Sequence, residues 1–277
     1  MRAAVVFVAL ASLQGPPSLD TTLSRLHAYL LDYEPKLSKL MADESMRQTH
    51  ARPARARPGE PTWRELKSEM AFVRLPGEGP WLGYRSVTTV NGKPVAERPD
   101  RLQALLARGG DEGRRAQEMA LESARFNLGL ARTTNVPTLP LELLHPRHRE
   151  RLTFALQGTQ RIEGRRLRRL SFEEVSRPTL IRNPDGSDII SYGSVWLEET
   201  SGRVFEVEVR SVAGRQPIGT LPEAVLRVSY AEDAALGLLV PTRMRETFAL
   251  GTGTGTGHAS YSNFRRFETS ARIIPQR

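Results

Sequence analysis

The sequence predicts an α+β protein: a curved antiparallel β-sheet, open as a half-barrel, packed against helices and preceded by a long N-terminal helix. Three observations predict it. Apolar residues recur at helical spacing through 18–48. From residue 150 onward, short runs of alternating apolar and polar residues follow one another to the end. Gly, Pro, Asn and Asp separate these runs with no helical stretch between them, which is the layout of an antiparallel meander. At 277 residues, 39% hydrophobic and 26% charged, the chain can bury one large core or two small ones.

Residues 1–11 read as a signal peptide. Arg2 precedes the apolar run "AAVVFVALA", and Ala9-Leu10-Ala11 has the small-x-small form that a signal peptidase accepts. This places the mature protein in the periplasm or outside the cell. The run falls well short of the roughly twenty residues that cross a bilayer, and no later segment is long enough, so stable membrane insertion is not expected. The chain has no cysteine, which removes disulfides, thiolate chemistry and a thioether lipid anchor.

Residues 12–61 read as the N-terminal helix and a linker. Leu19, Leu23, Leu26, Leu30, Leu37, Leu40 and Met41 form a helical stripe after the caps Ser18 or Asp20, with Pro35 as a point of kinking. "HARPARARPGEP" (50–61) alternates Arg and Pro and cannot form an element interior. Residues 62–277 then form a single α+β domain. Strands fill 62–95, with turns at Gly77-Glu78-Gly79 and Asn91-Gly92. Helices follow at 99–108 and 111–133, then a proline-interrupted helix or turn at 137–148. The remaining strands are expected at 151–158, 166–175, 189–198, 203–213, 224–231, 238–250 and 258–272.

The net charge of +9 would suit an anionic partner. Only Lys36, Lys39, Lys67 and Lys93 are lysines, however, and so lopsided a ratio follows from codon usage in a GC-rich genome. The densest run, "RIEGRRLRRLSF" (161–172), lacks the aromatic interleaving that stacks bases, so no nucleic acid is expected. "GTGTGTG" (251–257) resembles a phosphate cradle but lies between strand patterns and lacks the spelling of a dinucleotide or P-loop motif. It reads as a mobile hairpin tip.

No catalytic constellation emerges. G-x-S-x-G and H-E-x-x-H are absent, and His145-Pro146-Arg147-His148 has no zincin spacing, so neither metal nor cofactor is expected. One position stands out. In strand 238–250, Glu246 shares a face with Met244, Phe248 and Leu250, so it points inward and needs a partner. Arg265, one hairpin register away, is the expected partner, as a buried register-fixing pair or as a polar spot in an apolar cavity.

"GSVWLEETSGRVFEVEVRS" (193–211), "LRVSYAEDAALGLLVPTRMRET" (226–247) and "ASYSNFRRFE" (259–268) resemble the C-terminal half of secreted acidobacterial proteins of unknown function. That half is similar in layout to the lipoprotein-carrier (LolA-like) fold. The resemblance implies an open half-barrel around helices with acyl chains held between them, and hence a non-enzymatic carrier of an apolar or acylated ligand. The bulky residues Trp81, Tyr84, Phe126, Trp196, Phe248 and Phe267, with Glu246 and Arg265, are then the candidate ligand contacts. Two alternatives stay open: a structural or assembly protein that docks an envelope protein, and an envelope hydrolase.

Overall fold

The structure, a computed structural model, describes residues 17–50, 62–75, 79–96, 102, 111–129, 132–183, 185–213, 224–250 and 253–266. The expected signal segment, most of the Arg/Pro linker, nearly all of the helix expected at 99–108, and Phe267 lie outside these residues.

Helix α1 (Leu19–Leu37) begins where its sequence offers a cap: the Ser18 hydroxyl accepts from the Thr21 N–H at 3.2 Å. Leu23, Leu26, Leu30, Tyr33 and Leu37 form its buried stripe. The sequence predicts this helix to run on to 48, and the structure corrects that. The chain turns at Ser38 and enters strand β1 (Leu40–His50). Alternate residues of β1 are buried, among them Glu44, Gln48 and His50. A strand whose inward positions are polar lacks the alternation by which strands are recognised.

The other strands are β2 (Trp63–Arg74), β3 (Trp81–Val90), β4 (Lys93–Pro94), β5 (Leu152–Ile162), β6 (Arg165–Glu174), β7 (Ile181–Arg182), β8 (Asp188–Leu197), β9 (Val204–Ala213), β10 (Ala224–Asp233), β11 (Leu238–Leu250) and β12 (Gly253–Arg266). Among the described residues they make one antiparallel sheet of twelve strands, in the order β4-β3-β2-β1-β12-β11-β10-β9-β8-β6-β5, with β7 beside β8. β1 pairs with β12 on one side and β2 on the other, so the N-terminal segment is a central part of the sheet. Two hairpins turn through residue pairs of positive φ, Asn91-Gly92 at 49° and 75° and Glu163-Gly164 at 48° and 81°.

The sheet is mostly covered on one face by the chain itself. After β4 the described elements include α2 (Glu112–Ala124), α3 (Leu139–Leu144) and a 3-10 helix at Pro146–Arg151. α2 seals the open edge of β3, where the Ser123 hydroxyl accepts from the Arg85 N–H at 2.7 Å. α1 packs against both β2 and β5, which stand eight strand spacings apart, about 38 Å in a flat sheet. The helix is only about 28 Å long, so the sheet must curve around it.

The main core lies in that concavity. Leu26, Leu30 and Tyr33 of α1 and Leu141, Leu143 and Leu144 of α3 meet Leu170, Val195, Val207, Val228 and Met244 from the inward face of the sheet. A smaller cluster on the outer face joins Ala71, Val73 and Tyr84 to Met119 of α2.

The Gly-Thr stretch is also corrected. Gly253–Gly257 is the first part of β12, paired with β11 throughout and with β1 from Gly255 onward. Gly255 and Gly257 point inward, where the Phe248 ring occupies the place of a Cβ at 255, and a Cβ at 257 would sit 2.6 Å from Glu246 Cγ. The glycines make room for two large inward side chains of β11. The threonines point outward, where the Thr49 and Thr256 hydroxyls bond at 2.8 Å.

Candidate functional site

The inward face is apolar from β6 to β10, and from β11 to β3 a polar patch is set among inward apolar residues such as Met244, Met46, Leu66, Met70 and Phe72. The polar part forms because β1 places Glu44 and Gln48 inward while their neighbours in register are Ser68 on β2 and Tyr261 and Gly257 on β12. Arg85 of β3 reaches Glu44 with two bonds, Nε to Oε2 at 2.5 Å and Nη2 to Oε1 at 2.9 Å, and both side chains are fully buried. Burial works against the Arg85 charge, but the Glu44 carboxylate outweighs it and holds the guanidinium pKa above its ordinary value. Tyr261, beside Glu44, has its phenol pKa raised by burial and by that same carboxylate.

A segment of irregular chain after α2 lies over this patch and is tied to it by polar contacts. Gln48 grips it from both ends: Nε2 donates to Asn127 Oδ1 at 2.8 Å, and Oε1 accepts from the Leu128 N–H at 2.6 Å. Arg64 of β2 donates to the Phe126 carbonyl at 2.8 Å, and Arg85 donates to the Asn135 carbonyl at 2.9 Å. Asn135 in turn donates to Asn127 at 3.0 Å. Arg132 donates to Glu246 Oε1 at 2.7 Å while its guanidinium lies over the Phe248 ring, 3.4 Å from the centroid. Further along, the Tyr230 hydroxyl donates to the Pro137 carbonyl at 2.9 Å. The cover is thus held to the sheet mainly by side-chain hydrogen bonds and two ion-paired arginines.

Among the described residues, three buried polar groups on this side find no partner: Ser68 Oγ, opposite Glu44, with Trp81 Nε1 and Thr138 Oγ1. Thr138 lies where the cover passes Gly83, whose added Cβ would sit 3.3 Å from the hydroxyl. A buried donor without an acceptor costs about 1–3 kcal/mol.

A second polar cluster joins α1 to α3. Arg147 donates to Glu34 Oε1 at 2.6 Å, and His148 Nε2 lies 2.9 Å from Glu142 Oε1. His145 Nδ1 accepts from Arg147 Nε at 2.8 Å, which marks a neutral ring, in line with a pKa lowered by burial and by Arg147. Burial favours protonation of Glu142, yet His148, Arg147 and the Trp81 N–H hold its pKa below the usual carboxylate value. The two imidazoles of "HPRH" thus serve this network. Among the described residues no three His, Asp or Glu side chains are grouped to hold a metal ion.

The candidate contact residues do not converge. Glu246 points inward as its strand phase predicts, but its partners are Arg132 and Asn135. Arg265 lies on the outer face, paired with Asp43 at 2.7 Å and with Glu69. Phe248 sits inward beneath Arg132, and Trp81 is in the core against Tyr33, with ring centroids 5.8 Å apart. Phe126 opens the cover. Tyr84 and Trp196 are on the outer face, Tyr84 under α2 and Trp196 between the guanidinium groups of Arg169 and Arg227. The face containing Glu206 and Glu208 is less wet than alternation predicts. Arg227 pairs with both carboxylates, and each is under 10% exposed. Glu44, Gln48, Arg85, Asn127, Arg132 and Asn135, the residues that build the inward patch, were missed. Their only signal is polarity in segments whose flanks are apolar.

What these features define is a wide, curved antiparallel sheet closed over its own helices, with a polar seam beneath an irregular cover. No family model matches the chain, and no curated protein matches it. Among solved structures it is similar to a domain named for outer membrane lipoprotein sorting from Vibrio parahaemolyticus, with 12% identity, TM-score 0.42, and coverage of 88% of this chain and 95% of that one. It is also similar to a DUF1329 family protein from Desulfovibrio piger, with 10% identity, TM-score 0.38, and coverage of 88% and 93%. The MucA/MucB complex of Pseudomonas aeruginosa gives 10% identity, TM-score 0.23, and coverage of 90% and 99%. Scores of this size assign no function to the chain, and a functional reading rests on its own geometry.

Proposed function

We propose that the protein is a non-enzymatic binding protein of the periplasm or cell exterior, and that an apolar or acylated ligand enters the concave face of its sheet when the cover over the polar seam moves aside. One observation carries this reading: the join between cover and sheet is polar where a permanent core would be apolar. Buried ion pairs add little net stability relative to apolar packing, and their best-attested use is to select between arrangements. The partnerless Ser68, Trp81 and Thr138 groups at or beside the join support the same reading, because they could bond the polar end of a ligand whose apolar chain runs along Val195, Val207 and Val228. The carboxylates nearest the seam, Glu44 and Glu246, are each committed to an arginine, which leaves no evident acid–base couple for a hydrolase.

The test is protein purified from its host's envelope, with native mass spectrometry and organic extraction, followed by titration of the emptied protein with a fluorescent long-chain acyl probe. A co-purifying apolar molecule and saturable binding are expected, with tighter binding by Glu246→Gln, which weakens the tether and raises the population of the open form. A second reading is favoured by the close packing of the concavity: the closed sheet serves as a docking module for an envelope protein. Absence of both a bound molecule and probe binding, in the wild type and in the variant, would establish that reading over the first.

A further inference from the structure

The outer face carries an arrangement that the closed interior does not use. Register places Arg47 of β1 opposite His258 of β12, and His258 opposite Arg245 of β11. Arg245 in turn stands opposite Arg227 of β10. Four basic side chains therefore stand in one row across four adjacent strands, about 5 Å apart from strand to strand. Like groups directly opposite one another in a sheet are destabilising, and several other arginines on this face are compensated. Arg227 has Glu206 and Glu208, Arg210 has Glu208, Arg243 has Glu163, and Arg265 has Asp43 and Glu69. Arg47, His258 and Arg245 are exposed and have no ion pair or side-chain hydrogen bond among the described residues.

The surroundings favour an extended anionic surface over a single small anion. Arg47 and Arg245 flank β12 about 10 Å apart; Glu65 of β2 stands opposite Arg47 and ends the row on that side, and the small Ser45, Ser260, Thr49, Thr256 and Thr247 around the row build no wall around a ligand. At one end of the row the face deepens into a cleft of about 130 Å³ lined by Glu206, Arg227, Ser229, Arg243 and Arg245, room for one phosphate-sized group. At the other end Trp63, opposite Thr49, is 46% exposed on the same face. An exposed indole beside a basic row suits the headgroup level of a lipid layer, where Trp is enriched.

We infer that the outer face of β1, β12, β11 and β10 docks on an anionic lipid surface. Headgroup phosphates lie along Arg47, His258 and Arg245, one of them in the cleft beside Ser229, and the Trp63 indole meets the interface. The inference is independent of what the concave face holds.

The experiment is co-sedimentation of the full chain with phosphatidylglycerol vesicles and with phosphatidylcholine vesicles at low and high salt. Binding to the anionic vesicles alone is expected, falling steeply with salt. The double variant R47E/R245E should bind at least tenfold more weakly. The charge-matched K36E/K39E variant, altered at exposed lysines at the end of α1, should stay within about threefold of wild type. Trp fluorescence should shift to the blue on vesicle binding, and Trp63→Phe should remove the shift, since Trp81 and Trp196 are buried. Circular dichroism and melting of each variant confirm that it is folded, which exposed substitutions should allow. Equal binding to neutral vesicles, retained binding by R47E/R245E, or an equal loss in K36E/K39E would overturn the inference. So would displacement by millimolar inorganic phosphate at constant ionic strength, which would make a free anion the ligand, or binding to an acidic polypeptide in preference to vesicles.

Discussion

Glu44 and Arg85 are the residues on which the inward patch depends most. Neither has any exposure, and each satisfies the other through two bonds. Glu44→Gln leaves a buried guanidinium without its counter-charge, so a loss of about 3–5 kcal/mol is expected in a denaturant titration. Glu246→Ala should cost less, about 2–3 kcal/mol, because Arg132 keeps its bond to the Leu128 carbonyl at 2.9 Å and its seat on the Phe248 ring. Glu206→Ala should cost under about 1 kcal/mol, since Arg227 is partly solvated and retains Glu208. Equal losses for Glu246→Ala and Glu206→Ala would remove the distinction between the faces. The inward direction of Glu246 was legible from the period of two in its strand. Its partner was not, because Arg132 comes from a segment over a hundred residues away whose path no local pattern records.

At the scale of elements, the strands after residue 150 were legible because each has apolar residues on its inward side and a turn at its end. Two elements were not, and both failures have one cause. β1 mixes the inward apolar Leu40, Ala42 and Met46 with the inward polar Glu44, Gln48 and His50, and the start of β12 is inwardly glycine because Glu246 and Phe248 need its space. Both elements border the same patch, and conflict between local pattern and tertiary role is expected where a structure serves a function. Gly255→Ala should therefore destabilise by about 1–3 kcal/mol through overpacking against Phe248, while Thr254→Ala, an exposed neighbour on the outer face, should stay within about 0.5 kcal/mol. Deleting Thr252–Gly257 takes out the paired residues Gly253–Gly257 of β12 and should abolish cooperative unfolding. A second test at this scale is pH. The folded pKa of His145 is lowered, first by burial and then by Arg147, and that of His27 by burial and Arg149. Below the ordinary histidine value of about 6.5 the unfolded chain takes up protons that the folded chain refuses, so stability falls on acidification and rises again toward neutrality. Melting temperature should increase from pH 5 to pH 7. His145→Gln, whose amide oxygen can accept from Arg147, should flatten part of that slope.

The whole molecule is one sheet wrapped around its own chain. α1 and α3 fill its concavity from β2 to β5, and the irregular segment after α2 covers the polar patch around Glu44, Gln48 and Glu246. The large antiparallel sheet was legible in the run of strands after residue 150, while the depth of closure was not, because the cover is irregular and its contacts join residues far apart in sequence. If binding requires that segment to move, it must open more readily than the sheet beneath it. Most of its named ties to the sheet are side-chain hydrogen bonds, beside the buried Leu128 and Val136, so local opening should cost less than global unfolding. The most direct measurement is hydrogen exchange resolved to peptides, with and without a long-chain acyl ligand. The backbone amides of residues 126–129 and 132–136 should exchange at least a hundredfold faster than those of β1 and β11 in the free protein, and should change their protection when ligand is added while the central strands keep theirs. Exchange of these residues in step with β1 and β11, unaltered by ligand, would contradict a movable cover and leave a permanently sealed core.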